Sequence, residues 1–211
     1  MAKERKICLV IGSVPIEDNI FQNVDMQERF VICADGGYDN AVKFGIQPNL
    51  IIGDFDSLQN KLPDDVETIR LKIEKDDTDM LAAVKEGIQR GYRRFELVGA
   101  LGGERFDHSF ANLCVLQYLS SQGCKAVMKD GLRQVFLLNG GRLTLSKVKG
   151  STVSVFPFGC ASCEVSYTGL QYPLEQAILY SNIPLGVSNH VVEDTAQIIV
   201  HSGDALVIVQ Q

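Results

Sequence analysis

Leu50-Ile51-Ile52-Gly53-Asp54-Phe55-Asp56-Ser57 carries both the architecture and the chemistry of this chain. A short aliphatic run that stops at a glycine and two aspartates reads as a strand ending in a polar loop. Similar runs recur at 7–11, 30–33 and 95–98, separated by segments long enough for helices. That alternation predicts a parallel α/β sheet, and open sheets of this kind bind ligands at the carboxyl ends of their strands. Between Thr78 and Gly91, Met80, Leu81, Val84 and Ile88 recur at helical spacing, and Gly91 supplies a stop. A second helix is expected over about 109–121.

Past residue 125 the texture changes. Apolar segments at 125–128, 134–138, 142–145, 152–156, 196–200 and 206–209 are separated by turn signals such as Asn139-Gly140-Gly141 and Ser202-Gly203-Asp204. These short intervals predict an antiparallel β-sandwich. The expected division is therefore an α/β domain over 1–139 and a β-sandwich over 140–211.

Composition narrows the function. The 211 residues hold 20 Lys+Arg against 26 Asp+Glu, a net charge of −6. No basic excess is available to neutralise a phosphate backbone, which argues against nucleic acid as a partner. No apolar run approaches the roughly 20 residues of a membrane span, and the first residues lack the apolar segment and cleavage site of a signal peptide. A soluble, cytoplasmic protein away from membranes is expected. The six cysteines are scattered, so reduced thiols are expected, including Cys160 and Cys163. Zinc would need two more suitably spaced ligands, and His108, His190 and His201 form no such pair.

Four polar clusters interrupt the apolar pattern of the first domain. Ala34-Asp35-Gly36-Gly37 follows a strand, and its glycines permit close backbone approach to a ligand or simply a turn. In Gly53-Asp54-Phe55-Asp56-Ser57, an extended chain would turn Asp54 and Asp56 to the same side. Paired carboxylates repel unless a proton or a cation lies between them, and hard oxygen ligands suit Mg²⁺. Lys75-Asp76-Asp77-Thr78-Asp79 opens the first helix; one of these residues is an expected N-cap, but three aspartates exceed that need. Asp79 is the chosen third magnesium ligand, and Lys75 a point charge for a phosphoryl oxygen. The fourth cluster, Gly99-Ala100-Leu101-Gly102-Gly103-Glu104-Arg105-Phe106-Asp107-His108, is a glycine-rich bend before a helix. Arg105 can grip phosphate there, with Asp107 holding Arg105 or His108 in place. No GxxxxGK[ST], GxGxxG after the first strand, HExxH or GxSxG motif is present.

These four motifs, in order and with Asn112, resemble those of the thiamine pyrophosphokinases. Thr168-Gly169-Leu170-Gln171-Tyr172-Pro173-Leu174 and Gly186-Val187-Ser188-Asn189 are similar to that family's thiamine-side segments, so the resemblance covers nearly the whole chain. It implies transfer of a diphosphoryl group from ATP to the hydroxyethyl oxygen of thiamine, giving thiamine diphosphate and AMP. It further implies an N-terminal α/β domain, a C-terminal β-sandwich, and a homodimer with active sites between subunits. By position, Asp54, Asp56 and Asp79 correspond to the family's magnesium ligands, with Asp76 beside them in the catalytic cluster. Asp35, Gly36, Gly37, Lys75, Thr78, Gly102, Arg105, Asp107 and His108 fall on the nucleotide side, and Tyr172, Ser188 and Asn189 on the thiamine side. Lys75 stands where some members carry Gln. Competing readings are a diphosphokinase for a pterin or another heterocyclic alcohol, and a non-catalytic thiamine or nucleotide sensor.

Overall fold

A computed structural model describes residues 6–22, 24–56, 58–72 and 77–211. They divide into two units, Met1–Gly131 and Leu132–Gln211. In the first unit, β1 (Ile7–Ile11), β2 (Arg29–Ala34), β3 (Leu50–Gly53), β4 (Glu67–Arg70), β5 (Arg94–Val98) and β6 (Lys125–Lys129) pair in parallel. The order is β6-β5-β1-β2-β3-β4. The helices described are α1 (Gly37–Lys43), α2 (Asp79–Gln89) and α3 (Phe106–Ser121).

Covered parallel strands need apolar side chains on both faces, and the central strands supply them: β3 is buried throughout and β1 at all but its first residue. On one face Leu9, Ile11, Val31, Cys33 and Ile51 pack with Ala41 of α1. On the other, Gly87 of α2 settles against Cys8 and Phe95, where even a methyl group would lie 3.0 Å or closer to both side chains. The buried face of α2 is Met80, Ala83, Val84 and Gly87, the stripe expected of an amphipathic helix. Its N-cap is Thr78, whose hydroxyl accepts a hydrogen bond from Leu81 N at 3.2 Å. At its other end Arg90 donates to Glu86 and Glu67, tying the helix to β4.

Two elements carry little pattern in the sequence. β4 is an edge strand with only Ile69 partly buried, and α1 is two turns long. The helix expected from about 109 starts at Phe106, because its first turn lies beside the cleft and its buried face begins at Asn112.

The second unit is wholly antiparallel: β7 (Arg133–Ser146), β8 (Thr152–Pro157), β9 (Ser162–Thr168), β10 (Leu174–Tyr180), β11 (Asn189–His190) and β12 (Thr195–Gln210). β7 and β12 pair along nearly their whole length. The first half of β12 also pairs with β9, and β9 with β10. Its second half pairs with β8, and β8 with β11. The two long strands are thereby shared by both layers of a sandwich, whose core includes Val153, Val155, Val165, Tyr167, Leu179, Ile198 and Val207. Full burial of each such aliphatic side chain contributes about 1.5–3 kcal/mol, so no disulfide is needed; all six cysteines are free.

The division expected at 139/140 falls inside β7. Gly140 and Gly141, at φ 68° and 87°, bend that strand and do not end it, and Ser202-Gly203-Asp204 does the same within β12. Hairpins and bulges use the same left-handed residues, so sequence alone does not separate them. The run at 125–128 is likewise a parallel strand of the first unit.

Candidate active site

β1 lies between β2 and β5; from it the sheet grows one way through β4 and the other way through β6. The end of β1 is thus the switch point where crossovers part and leave a crevice. A cleft of about 470 Å³ occupies that place. Its walls come from the segments after β1, β2, β3 and β5 and from the starts of α2 and α3.

Close approach of β2 and β3 brings the acids together. A Cβ on Gly53 would lie 2.9 Å from Asp35 Cα, so only glycine allows the two strand ends to meet. Beyond it the chain is not extended: Phe55 sits at φ 67° and Asp35 at φ 45°. Left-handed non-glycine residues cost on the order of 1 kcal/mol or more and persist where their surroundings hold them. Here Phe55 N donates to Asp35 Oδ1 at 3.2 Å, and Asp56 N to Asp54 Oδ1 at 3.2 Å. Asp54 and Asp56 therefore converge through a kinked turn, and the strand pleat expected from the sequence plays no part.

One carboxylate oxygen from each of Asp35, Asp54 and Asp56 lies within 4.8 Å of the others. The negative charge of Asp54, then a hydrogen bond with its carboxylate, pushes the Asp56 carboxyl above its ordinary range, with smaller contributions that include Asp35 and Asp79. This crowded set of hard oxygens fits a divalent cation such as Mg²⁺. Asp79, the first residue of α2, lines the same cleft. The close trio thus shares Asp54 and Asp56 with the trio inferred from sequence, and Asp35 stands nearer to them than its assignment to the nucleotide side implied. Lys75, Asp76 and Ser57 lie outside the described residues.

The remaining motif residues have definite places. Gly36 is the N-cap of α1 and Gly37 its first residue. Thr78 lines the cleft while capping α2. Gly102 N donates to Ser109 Oγ, folding the glycine-rich bend onto α3. Arg105 is gripped in bidentate fashion by Asp107, Nε to Oδ1 at 2.9 Å and Nη2 to Oδ2 at 2.6 Å. Those hydrogen bonds hold the Asp107 carboxyl down at about 2. Arg105 and His108 both line the cleft, as does Asn112, whose Nδ2 donates to Ala100 O at 2.8 Å.

Sequence reasoning passed over Gly12, Ser13 and Val14, which also line the cleft. A glycine directly after the first apolar run was the available signal.

In the second unit, segments 168–174 and 186–189 come together. Gln171 N donates to His190 O at 2.8 Å, and Leu170 bridges to Val191. Tyr172 is 62% exposed. Asn189 is buried, with Oδ1 accepting from Tyr172 N at 3.0 Å and Nδ2 donating to Tyr172 O at 2.8 Å. Ser188 adopts φ 58° and donates its N–H to Ser154 Oγ at 3.1 Å.

A parallel sheet with an acidic switch-point cleft, followed by a β-sandwich, defines an α/β protein with a ligand crevice at the carboxyl ends of its strands. The description "Thiamin pyrophosphokinase, catalytic domain" matches residues 21–128, and "Thiamin pyrophosphokinase, vitamin B1 binding domain" matches residues 142–207. The chain belongs to the thiamine pyrophosphokinase family, enzymes that transfer the diphosphoryl group of ATP to thiamine. Thiamine pyrophosphokinase 1 of Oryza sativa subsp. japonica is 25% identical over 200 residues, covering 81% of this chain and 75% of that protein. Thiamine pyrophosphokinase of Bacillus subtilis (strain 168) is 25% identical over 167 residues, covering 76% of this chain and 78% of that protein. The crystal structure of thiamine pyrophosphokinase from Bacillus subtilis superposes with a TM-score of 0.86 at 22% identity, covering 98% of this chain and 99% of that one.

Proposed function

We propose that the acidic cleft of the first unit is where this chain performs diphosphoryl transfer, with Asp54, Asp56 and Asp79 holding Mg²⁺ and Asp35 completing the oxygen set around it. The observation that carries this reading is the gathering of Asp35, Asp54 and Asp56 oxygens within 4.8 Å at the switch point. Bound Mg²⁺ supplies the positive charge that lets a triphosphate enter an acidic cleft and offsets charge developing on its oxygens.

The chain's own residues align the reactants. Arg105, preset by Asp107, grips a phosphate, and His108 lies beside it. Gly36, Gly37 and Gly102 keep the backbone close to the nucleotide, and Thr78 fixes the start of α2 and so the place of Asp79. In the reaction the hydroxyethyl oxygen of thiamine attacks the β-phosphorus and releases its proton to solvent, the bond from that phosphorus to the bridging oxygen breaks, and AMP departs carrying that oxygen. Alignment and electrostatics carry most of such a transfer. On the thiamine side, Tyr172 offers an aromatic face to the thiazolium cation and Ser188 a polar contact, while Asn189 holds the Tyr172 backbone. Lys75 and Asp76 belong to the same proposal.

The active assembly is a homodimer with active sites between subunits. Supporting this, β10 is an edge strand carrying exposed Ile178 and Tyr180, with exposed Ile183, Leu185 and Val187 following. A cytosolic setting agrees with six free cysteines. No helix among the described residues is long and apolar enough to cross a membrane.

Incubating the protein with ATP, MgCl₂ and thiamine and separating products by chromatography tests the reading. AMP and thiamine diphosphate are expected in equal amounts. Formation of ADP would refute it, as would turnover with a pterin alcohol and none with thiamine.

A further inference from the structure

We infer that Ser13 is a further ATP-binding residue, donating from its backbone N–H and hydroxyl to phosphate oxygens, and that Asn40 is the positioning residue that presents it. This rests on the diphosphotransfer reading above. Gly12-Ser13-Val14 follows β1 at the switch point and lines the cleft. The loop is pinned from one side by β5 and the turn after it: Gly12 N donates to Val98 O at 2.8 Å and Val14 N to Gly99 O at 3.0 Å. The crossing leaves no slack, because a Cβ on Gly12 would lie 2.5 Å from Gly99 O and one on Gly99 would lie 2.4 Å from Gly12 O.

From the other side comes Asn40, with 9% of its surface exposed. Its Nδ2 donates to Gly12 O at 2.7 Å and to Val14 O at 2.9 Å, so both carbonyls flanking Ser13 turn toward α1 and away from the ligand. A cleft for a polyanion gains from this, since two carbonyl dipoles no longer oppose phosphate. Ser13 itself is exposed, and neither its N–H nor its hydroxyl has a partner among the described residues. It also sits against the Asp35-Gly36 turn, where a Cβ on Gly36 would lie 3.0 Å from Ser13 Cβ. Two uncharged donors beside a carboxylate cluster match phosphate oxygens brought in with a cation.

The test compares wild type, Ser13→Ala, Ser13→Asp, Asn40→Asp and the double variant Ser13→Ala/Asn40→Asp. Steady-state kinetics are paired with calorimetric binding of α,β-methylene-ATP in MgCl₂. Ser13→Ala is expected to raise the KM for ATP and the Kd for the analogue about tenfold, the loss of one hydrogen bond to a charged group. Ser13→Asp should raise both further, with melting temperature and the KM for thiamine unchanged. Asn40→Asp should weaken ATP alone, and adding Ser13→Ala to it should cost less than the same change in wild type. Wild-type values for ATP in both Ser13 variants overturn the inference, and fully multiplicative effects overturn the role of Asn40. Should Asn40→Asp not fold, the Ser13 variants still decide the binding claim, and Asn40→Ser, which keeps a donor in less volume, replaces it in the cycle. A wild-type protein that forms no AMP refutes the functional reading; an active one with indifferent Ser13 variants refutes only this inference.

Discussion

Asp56 shows why residue identity and residue placement are separate problems. Its partners Asp54 and Asp35 come from different strand ends, and their repulsion makes its carboxyl harder to ionise. Because Asp56 stands in the cleft with its side chain outside the core, Asp56→Ala should abolish AMP formation and leave the ligand-free melting temperature within about 2 °C of wild type; a large fall would make it a packing residue. Asp107 behaves oppositely. Arg105 depresses its pKa to about 2, so the pair's contribution is fully present above the usual carboxylate range and is lost progressively as pH falls from that range through about 2. A carbon-detected NMR titration should find that carboxyl still charged at pH 3.5. Half-protonation near 4 would mean Arg105 is not held. Tyr167 is 3% exposed and its hydroxyl has no hydrogen-bond partner among the described residues. Tyr167→Phe removes an unsatisfied polar group from the sandwich core, and denaturant unfolding should show a gain of about 1 kcal/mol. A comparable loss would reveal a partner for the hydroxyl.

At the scale of elements, α2 joins fold to site. The same Thr78 that caps it also lines the cleft, and Asp79 enters the cleft only because the helix begins there. Thr78→Ala should cost about 1 kcal/mol of stability in thermal or denaturant unfolding. Activity should fall by more than the unfolded fraction explains, since Asp79 would lose its fixed starting point; a drop that merely follows stability would limit Thr78 to capping. The helix itself was legible because Met80, Leu81, Val84 and Ile88 repeat at its period. β4 was not, because an edge strand with one partly buried residue needs no apolar pattern. The long strands β7 and β12 were read as pairs of short ones, since a left-handed glycine within a bend looks the same in sequence as one within a turn.

At the scale of the whole molecule, the chain separates chemistry from packing. The first unit carries the acidic cluster and the second the residues proposed for the thiamine side, each unit on its own core. The thiols report that partition. Cys114 is exposed, whereas burial pushes Cys8 and Cys33 well above the ordinary thiol range, and burial with neighbouring Cys160 pushes Cys163 up to about 11. Alkylation at pH 8 followed by peptide mass analysis should modify Cys114 first and reach Cys8, Cys33 and Cys163 only in denaturant. Early labelling of Cys8 or Cys33 would mean the parallel sheet is not closed on both faces.

Strand-length apolar runs, helical periodicity and four acidic or glycine-rich motifs were sufficient, in the linear order alone, for the parallel sheet, the β-rich second half, the family and most of the cleft. Those features are local: they depend on which residues neighbour one another along the chain. Tertiary structure alone decided that Asp35 joins Asp54 and Asp56, that a kinked turn brings them together, and that Ser13 lies against the Asp35-Gly36 turn with Asn40 bonded to the carbonyls on either side of it. Each of these depends on strand order and on approaches of a few ångströms between segments distant in sequence, and side-chain spacing along one segment does not encode the distance to another.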